Sequence, residues 1–151
     1  MLATVATAVS VVVRGAHAAW EAQENDYHRL EAAHAVVLHV VRGIRQATAV
    51  TAVTDPSNTA GSLSLLMPTG DTHVWDRDSG TDEVNFGVSA ASDLLAEGIT
   101  ALTFTAYEAD GVTPTTTVDD VHSIKCQVTV QLTQGGGTAR SVSCWAWLRS
   151  W

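Results

Sequence analysis

Six histidines are the residues in this chain whose chemistry can be tested most directly against their spacing. His28, His34 and His39 lie in one helical stretch, at intervals of six and then five residues. A helix brings two imidazoles side by side at intervals of three or four, and metal-binding His pairs use those intervals. We therefore predict that these three side chains are solvated or packed against neighbours, and that they bind no metal.

His122 follows two acids, Asp119 and Asp120, and a carboxylate beside an imidazole is the arrangement of a general base with its orienting acid. A nucleophile motif such as G-x-S-x-G does not accompany it. The sequence therefore predicts no catalytic residue, no cofactor and no enzymatic activity.

Four carboxylates in one turn form the densest acidic group of the chain: Asp76, Asp78, Asp82 and Glu83. Calcium takes six to eight oxygen ligands, so these residues are an alternative calcium site. Gly80, however, stands where the fifth position of an EF-hand loop supplies an oxygen. We interpret the segment as a solvated turn and predict no other metal site.

The two cysteines, Cys126 and Cys144, lie in segments that resemble strands and form no C-x-x-C pair, which excludes a four-cysteine zinc site. If residues 133–138 connect a hairpin, Cys126 lies opposite either Cys144 or Trp145. Only the first register allows a bridge, because a shift by one residue turns the side chains to opposite faces. We predict a disulfide between the two in an oxidising compartment.

Trp145 and Trp147 share one face of the last predicted strand. We interpret that face as core, packed onto the helix. The alternative is an exposed aromatic surface for a neighbouring subunit, and Trp151 fits either interpretation.

Composition limits the classes of function. A chain of 151 residues has room for one domain of ordinary size. Its hydrophobic fraction of 46% is typical of a folded protein, not of a disordered one. The formal net charge of −8 leaves no basic stripe for phosphates, so no nucleic-acid partner is expected.

The first 48 residues predict one long helix. Residues 1–13 carry no charge, but about twenty apolar residues are needed to cross a bilayer, so we interpret residues 1–15 as the membrane-proximal part of a longer apolar segment. A cleaved signal peptide with Ala16-His17-Ala18 as its processing site is the alternative. Apolar and aromatic residues then recur at helical spacing and predict an assembly stripe, with His34 among them: Trp20, Tyr27, Leu30, Val37, Val41 and Ile44.

The remainder, residues 49–151, predicts an antiparallel β-domain, because short alternating runs are separated by turn signals. Residues 92–97 are predicted as a short helix or a turn, and the Thr-rich stretch after Ala47 as the end of the helix. The fold class is therefore α+β, with a long N-terminal helix packed on an antiparallel sheet. The predicted strands are Gly61–Met67, Thr72–Trp75, Glu83–Val88, Ile99–Tyr107, Ser123–Leu132 and Ala139–Leu148.

Several segments resemble those of type IV pilins, and in particular of the J-type minor pseudopilins of type II secretion. Leu30-Glu31-Ala32 and the segment 40–47, V-V-R-G-I-R-Q-A, are similar to the family's stalk. The segments 95–104 and 107–111 are similar to its central strand and turn, and residues 124–149 to its C-terminal hairpin. Members begin with a basic leader and an apolar segment with a Glu at its fifth position, where this chain has Val5. We therefore expect Met1 to align with the middle of that segment.

The resemblance implies a pilin-like structural subunit in the inner membrane, with an extracytoplasmic β-domain and other pilin or pseudopilin subunits as partners. It also implies a place near the tip of a type II secretion or type IV pilus-like filament. Two alternatives remain open from the residues. One is a tip adhesin or DNA-uptake binding module, and the other is a secreted binding domain or enzyme behind a cleaved signal peptide.

Overall fold

A computed structural model describes residues 2–133 and 137–149 of the chain, with side chains described from residue 9 onward. One long helix comes first, α1 (Leu2–Gln46), and antiparallel strands follow. The α+β class and the long N-terminal helix predicted from the sequence are confirmed; Met1, the first residue of the predicted stalk, lies outside the described residues.

The upper half of α1 is amphipathic, and its buried face begins at Asp26. From there to the end of the helix, the residues at helical spacing that face the strands are almost without solvent contact, among them Ala33, Val36, Val40 and Ile44. The helix ends where Thr48 turns into the sheet, since its backbone N–H and its hydroxyl both donate to the carbonyl of Leu66.

Five strands form the first sheet, in sequence order. The Thr-rich stretch after the helix is a strand, and so is the segment that the sequence predicted as a helix or a turn. The helix ends before the Thr-rich stretch, as predicted, although the sequence did not indicate the strand that follows; the prediction of a helix or a turn at residues 92–97 was wrong. Each stretch completes an edge of the sheet through backbone pairing that periodicity over four or five residues does not reveal. The strands are β1 (Ala49–Val53), β2 (Ser62–Leu66), β3 (Thr72–Asp78), β4 (Glu83–Val88) and β5 (Asp93–Ala96).

A second sheet follows, so the strands do not form the single meander that the sequence predicted. Gly98 has a φ of +72° and turns the chain away from the first sheet, a conformation that glycine adopts without strain. The first strand of the second sheet then pairs on one side with a two-residue strand and on the other with the strand at Ser123–Gln131. The order is β7-β6-β8-β9, with β6 (Ile99–Tyr107), β7 (Pro114–Thr115), β8 (Ser123–Gln131) and β9 (Ala139–Trp147).

The two sheets meet where Gly61 lies against β6. Gly61 N–H donates to the Leu102 carbonyl, and Leu102 N–H donates to the Thr59 carbonyl, both over 2.9 Å. A Cβ at position 61 would lie 2.5 Å from the Leu102 oxygen, so this contact requires glycine. The helix packs across the joined sheets, chiefly on β8, β9 and β5, and encloses one apolar core.

Candidate assembly surface and the other predicted sites

The helix is fixed to the β-domain at the level of Asp26 and Arg29. Thr133 donates to the Asp26 carboxylate twice, from its backbone N–H and from its hydroxyl, the latter over 2.6 Å. Arg29 donates to the Gln131 carbonyl. Asp26 is only 8% exposed, and the two hydrogen bonds from Thr133 are ones that its buried carboxylate requires. We call these contacts of Asp26 and Arg29 the anchor contacts.

Sequence reasoning missed Asp26, although a signal was present. Asp26, Ala33, Val37 and Ile44 recur at intervals of seven, four and seven, so an acid stands on the apolar face of the helix. A carboxylate in that position predicts a buried partner from another element.

Below the anchor contacts, α1 projects from the β-domain. Every described side chain from residue 9 to residue 25 is exposed, except the half-buried Ala22. The projecting segment is nevertheless apolar, since Val9, Val11, Val12 and Val13 are each more than half exposed. Within the described residues, no helix is both long and apolar enough to cross a membrane.

The predicted assembly stripe is divided between two environments. Val37, Val41 and Ile44 belong to the core, and Leu30 is half-buried against it. Trp20 and Tyr27 are 71% and 67% exposed. The six residues therefore do not form one surface, because the upper half of the stripe is covered by the chain's own strands. His34, which the sequence placed on the same stripe, is exposed.

Two surface features lie on the open side of α1. The lower patch is a shallow depression of about 290 Å³ lined by Trp20, Gln23, Glu24 and Tyr27. The upper cleft has a volume of about 540 Å³, and three arginines contribute to its wall. Its lining consists of Leu38, Val41, Arg42, Arg45, Gln46 and Arg149.

Most carboxylates of the acidic turn, which was the alternative calcium site, are engaged locally. Asp78 accepts from the Gly80 N–H over 2.7 Å, and Glu83 accepts from the Thr81 hydroxyl over 2.9 Å. Asp82 pairs with the buried Arg77. Asp76 lies within β3, half-buried. Across the described part of the chain, no three His, Cys, Asp or Glu side chains are grouped so as to hold a metal ion.

His39 lies in an aromatic cluster that no sequence spacing indicated, because its partners come from strands far along the chain. Trp75 Nε1–H donates to His39 Nδ1 over 3.0 Å, which requires a neutral imidazole with its proton on Nε2. The His39 and Phe86 ring centroids are 4.7 Å apart. Burial lowers the pKa of His39 below its usual value, and the charges of Arg42 and His73 lower it further. This histidine therefore favours the uncharged form that the hydrogen bond needs.

His28 and His122 lie outside this aromatic cluster. His28 is exposed, 3.8 Å from Glu31 on the same helix. His122 exposes its imidazole, while its backbone N–H donates to the Tyr107 carbonyl.

Cys126 and Cys144 are direct partners in the β8–β9 ladder, which is the first of the two registers considered from the sequence. Part of the predicted connection, residues 134–136, lies outside the described residues. Both side chains are free thiols, Cys126 buried and Cys144 half-buried. Burial raises the pKa of Cys126 to about 12, with a further contribution from Cys144 beside it. The register permits the predicted disulfide, which stays a prediction.

The interpretation of Trp145 and Trp147 as core was wrong. They are 42% and 56% exposed, on the face of β9 that points away from α1. The helix covers the opposite face, where Ala146 is buried. Trp145 stacks on Tyr107 with ring centroids 4.5 Å apart, so part of this aromatic surface is covered from within the sheet. Trp151 lies outside the described residues.

Comparison with known proteins identifies no family for this chain. No protein-family model matches the chain, and no curated protein matches it.

Proposed function

We propose that this chain is a structural subunit of a pilin-like filament, a minor pseudopilin of a type II secretion system or a minor pilin of a related pilus. It assembles through α1 and lies near the tip of the filament. The β-domain faces the extracytoplasmic side, and the projecting segment is directed to the inner membrane and to other pilin-like subunits.

The projecting segment carries the proposal. A single helix exposed on all sides is not stabilised by packing, and most helical stability in proteins comes from a buried face. Exposed valines and the exposed Trp20 on such a helix indicate a surface that is covered when the protein functions. Neighbouring helices of the same kind, together with lipid, are the environment that covers it.

The proposal includes no catalytic reaction. The described carboxylates of the acidic turn are mostly engaged in local contacts, and His39 accepts a hydrogen bond within an aromatic cluster. These arrangements support structural roles for residues whose types are common in active sites.

Photo-crosslinking in the native host tests the proposal. A photoreactive amino acid at Val13 or Trp20 of the full chain is expected to give adducts with other helix-bearing subunits in the membrane fraction. The same amino acid at Val112, an exposed position in a loop of the β-domain, is the control. Recovery of the chain in the soluble fraction without adducts from either helix position would contradict the proposal.

A binding module is the second candidate, and the exposed face of Tyr107, Trp145 and Trp147 is the observation that favours it. Exposed aromatic side chains are enriched where proteins bind partners. Under this function, the double variant Trp145→Ala/Trp147→Ala abolishes adhesion or uptake but leaves assembly of the subunit intact. A double variant that assembles and still adheres or takes up DNA as the unchanged chain does would exclude the binding-module function.

A further inference from the structure

Three aromatic side chains lie together on the open face of the second sheet. Tyr107 and Trp147 stand in one row across β6, β8 and β9, because Ser123 pairs with both of them. Two strand spacings separate the ends of this row, about 10 Å, which is close to the length of a disaccharide. Trp145 lies two residues before Trp147 and stacks on Tyr107. We call Tyr107, Trp145 and Trp147 the aromatic face.

Contacts within the chain hold both indole rings of the aromatic face. Trp145 is held by its stacking contact, and Trp147 packs on Gly111, where a Cβ would lie 3.2 Å from Cη2 of the indole. The loop that carries Gly111 is itself fixed, since the Asp110 carboxylate accepts from the backbone N–H and the hydroxyl of Thr113, the former over 2.9 Å. Rings that are ordered in advance lose less conformational entropy when a ligand binds.

A cavity of about 370 Å³ opens beside Trp147. The indole forms part of its wall, together with the side chains of Asp119 and His122. Asp119 belongs to the 3₁₀ turn Val118–Asp120, and His122 directly precedes β8. An aromatic wall with a few polar groups in a concave site is the usual composition of a small-ligand site.

The chemistry of this surface fits a saccharide. A sugar ring has a face of C–H groups that packs on an aromatic ring, and its hydroxyls donate to a carboxylate and exchange hydrogen bonds with an imidazole. Around the three rings, this face of the sheet carries mostly hydroxyl and amide side chains, which hydroxyl-rich ligands also need. They are Thr103, Thr105, Gln127, Thr129, Ser141 and Ser143.

Charge separates a saccharide from a nucleic acid, whose bases also stack on aromatic side chains. Single-stranded nucleic acid needs a basic groove for its phosphates. Strands β6, β8 and β9 are described throughout, and on this face Lys125 is their one charged side chain. The cavity adds a carboxylate, Asp119, so the surface fits a neutral ligand better than a polyanion.

The cavity is suited to binding a saccharide and not to cleaving it. Glycoside hydrolysis generally uses two carboxyl groups that flank the scissile bond. Among the residues that line the cavity, Asp119 supplies the one carboxylate.

We propose that the aromatic face and the cavity beside Trp147 form one binding site for a neutral polysaccharide. One sugar unit enters the cavity with its C–H face on Trp147 and its hydroxyls on Asp119 and His122. The next unit of the chain lies on Trp145. The site goes beyond the filament function and does not rest on it, and it gives the binding-module candidate a class of ligand.

Affinity electrophoresis of the purified full chain in mild non-ionic detergent tests the site. Gels contain one of three neutral polysaccharides, hydroxyethyl cellulose, dextran or a mannan, and at least one of them is expected to retard the chain. Trp147→Ala and Asp119→Asn are each expected to weaken this binding by about tenfold, through loss of the stacking surface and of a charged hydrogen-bond acceptor. Trp147→Phe keeps a ring and is expected to retain most of the binding.

Trp20→Ala is the matched control, because Trp20 is an exposed tryptophan on α1, away from the second sheet. It is expected to leave the retardation unchanged. Urea unfolding checks that each variant is folded, and Asp119→Asn changes an exposed side chain, so it tests the site even if Trp147→Ala unfolds.

Three results would overturn the proposal. The first is a chain that none of the three neutral polysaccharides retards. The second is retardation by polygalacturonate or poly(dT) alone, which would assign the binding to a polyanion. The third is a folded Asp119→Asn or Trp147→Ala chain that is retarded as strongly as the unchanged one.

This proposal and the filament function fail separately. Photo-adducts from Val13 without retardation by a neutral polysaccharide leave the filament function intact and remove the saccharide site. Retardation that depends on Trp147, without photo-adducts in cells, retains the site and removes the filament function.

Discussion

At the scale of single residues, the most informative side chains are those whose ionisation is tied to a contact. His39 accepts the indole N–H of Trp75 only while its imidazole is neutral, and its ring packs from α1 against β3 and β4 of the first sheet. Because its pKa is lower in the folded protein, the unfolded chain binds a proton here at a higher pH than the folded one. Stability therefore falls as the pH drops below the ordinary histidine value of about 6.5, until the folded-state pKa is passed.

The variant His39→Gln tests this dependence. Glutamine keeps an oxygen acceptor for the Trp75 N–H but does not titrate, so the loss of stability between pH 7.5 and 5.5 is expected to be smaller than in the unchanged chain. Urea unfolding followed by Trp fluorescence at both pH values measures it. An unchanged pH dependence in His39→Gln would contradict the assignment of the effect to His39.

The cysteine pair gives the second residue-scale prediction. A disulfide between residues 126 and 144 closes a loop of ordinary length and is expected to stabilise the oxidised chain by about 3 kcal/mol in the loop-entropy account. The raised pKa of Cys126 leaves little thiolate at neutral pH, so the bridge is expected to form slowly without an oxidation catalyst. Mass spectrometry after alkylation of protein from an oxidising compartment measures it. Two thiols that alkylate without prior reduction would show that the bridge does not form.

At the scale of elements, α1 contains two glycines in opposite environments. A Cβ at position 43 would lie 2.4 Å from Cη2 of the buried Trp75, whereas a Cβ at position 15 meets nothing within 4 Å. Both positions are helical, so the intrinsic gain from alanine is the same at both, about 1 kcal/mol.

The two alanine variants are therefore expected to have opposite effects. Gly43→Ala destabilises the fold by about 1–3 kcal/mol because the core is overpacked. Gly15→Ala raises the helix content of the projecting segment and leaves the unfolding of the β-domain unchanged. Urea unfolding and far-ultraviolet circular dichroism separate the two effects. A Gly43→Ala chain as stable as the original would show that moving Trp75 aside costs no more than this intrinsic gain.

The same scale shows what the sequence could predict. The long periodic helix was predictable because its pattern extends over many turns. Counting across the connection between β8 and β9 left two registers, and the structure has the one that pairs Cys126 with Cys144. The division of the strands into two sheets was not, since it depends on Gly61 meeting Leu102 and on the turn at Gly98, both long-range or conformational facts. The exposed face of Trp145 and Trp147 was assigned to the core because alternation identifies two faces without telling which one the helix covers.

The predicted assembly stripe shows the same limit of reasoning from alternation and periodicity. Of the predicted stripe, Trp20 and Tyr27 are exposed, whereas Val37, Val41 and Ile44 have the same period but lie beneath the chain's own strands. Periodicity shows that a helix has an apolar side, but not whether that side is covered within the chain or by another one.

At the scale of the whole molecule, the helix belongs to two structures at once. Its upper half completes the core of the β-domain, and the side chains described between residues 9 and 25 contribute nothing to that core. The two halves meet at Asp26, a buried acid that accepts hydrogen bonds from Thr133, just beyond β8.

Removal of residues 1–21 is therefore expected to leave the β-domain folded and as stable to urea as the full chain, and without hydrolase or transferase activity. The truncated chain loses Trp20 and the valines of the projecting segment, so its self-association is expected to be lost as well. Thermal unfolding and sedimentation measure the two properties. A truncated chain that unfolds would show that the projecting segment supports the core, and turnover lost on His122→Ala would contradict the absence of catalysis.

The anchor contacts also have a mechanical consequence. A pull along the projecting segment enters the β-domain at Asp26 and Arg29, where the helix is held to residues at the end of β8 and just beyond it. Such a pull slides the buried face of α1 past the sheets, so its contacts up to Ile44 bear the load together instead of parting in sequence. The Gln46 end, tied to Leu66 through Thr48, carries the tension on into the first sheet. The fold is thus arranged to resist extension along its helix, and stretching of single molecules from residue 9 would measure the force it withstands.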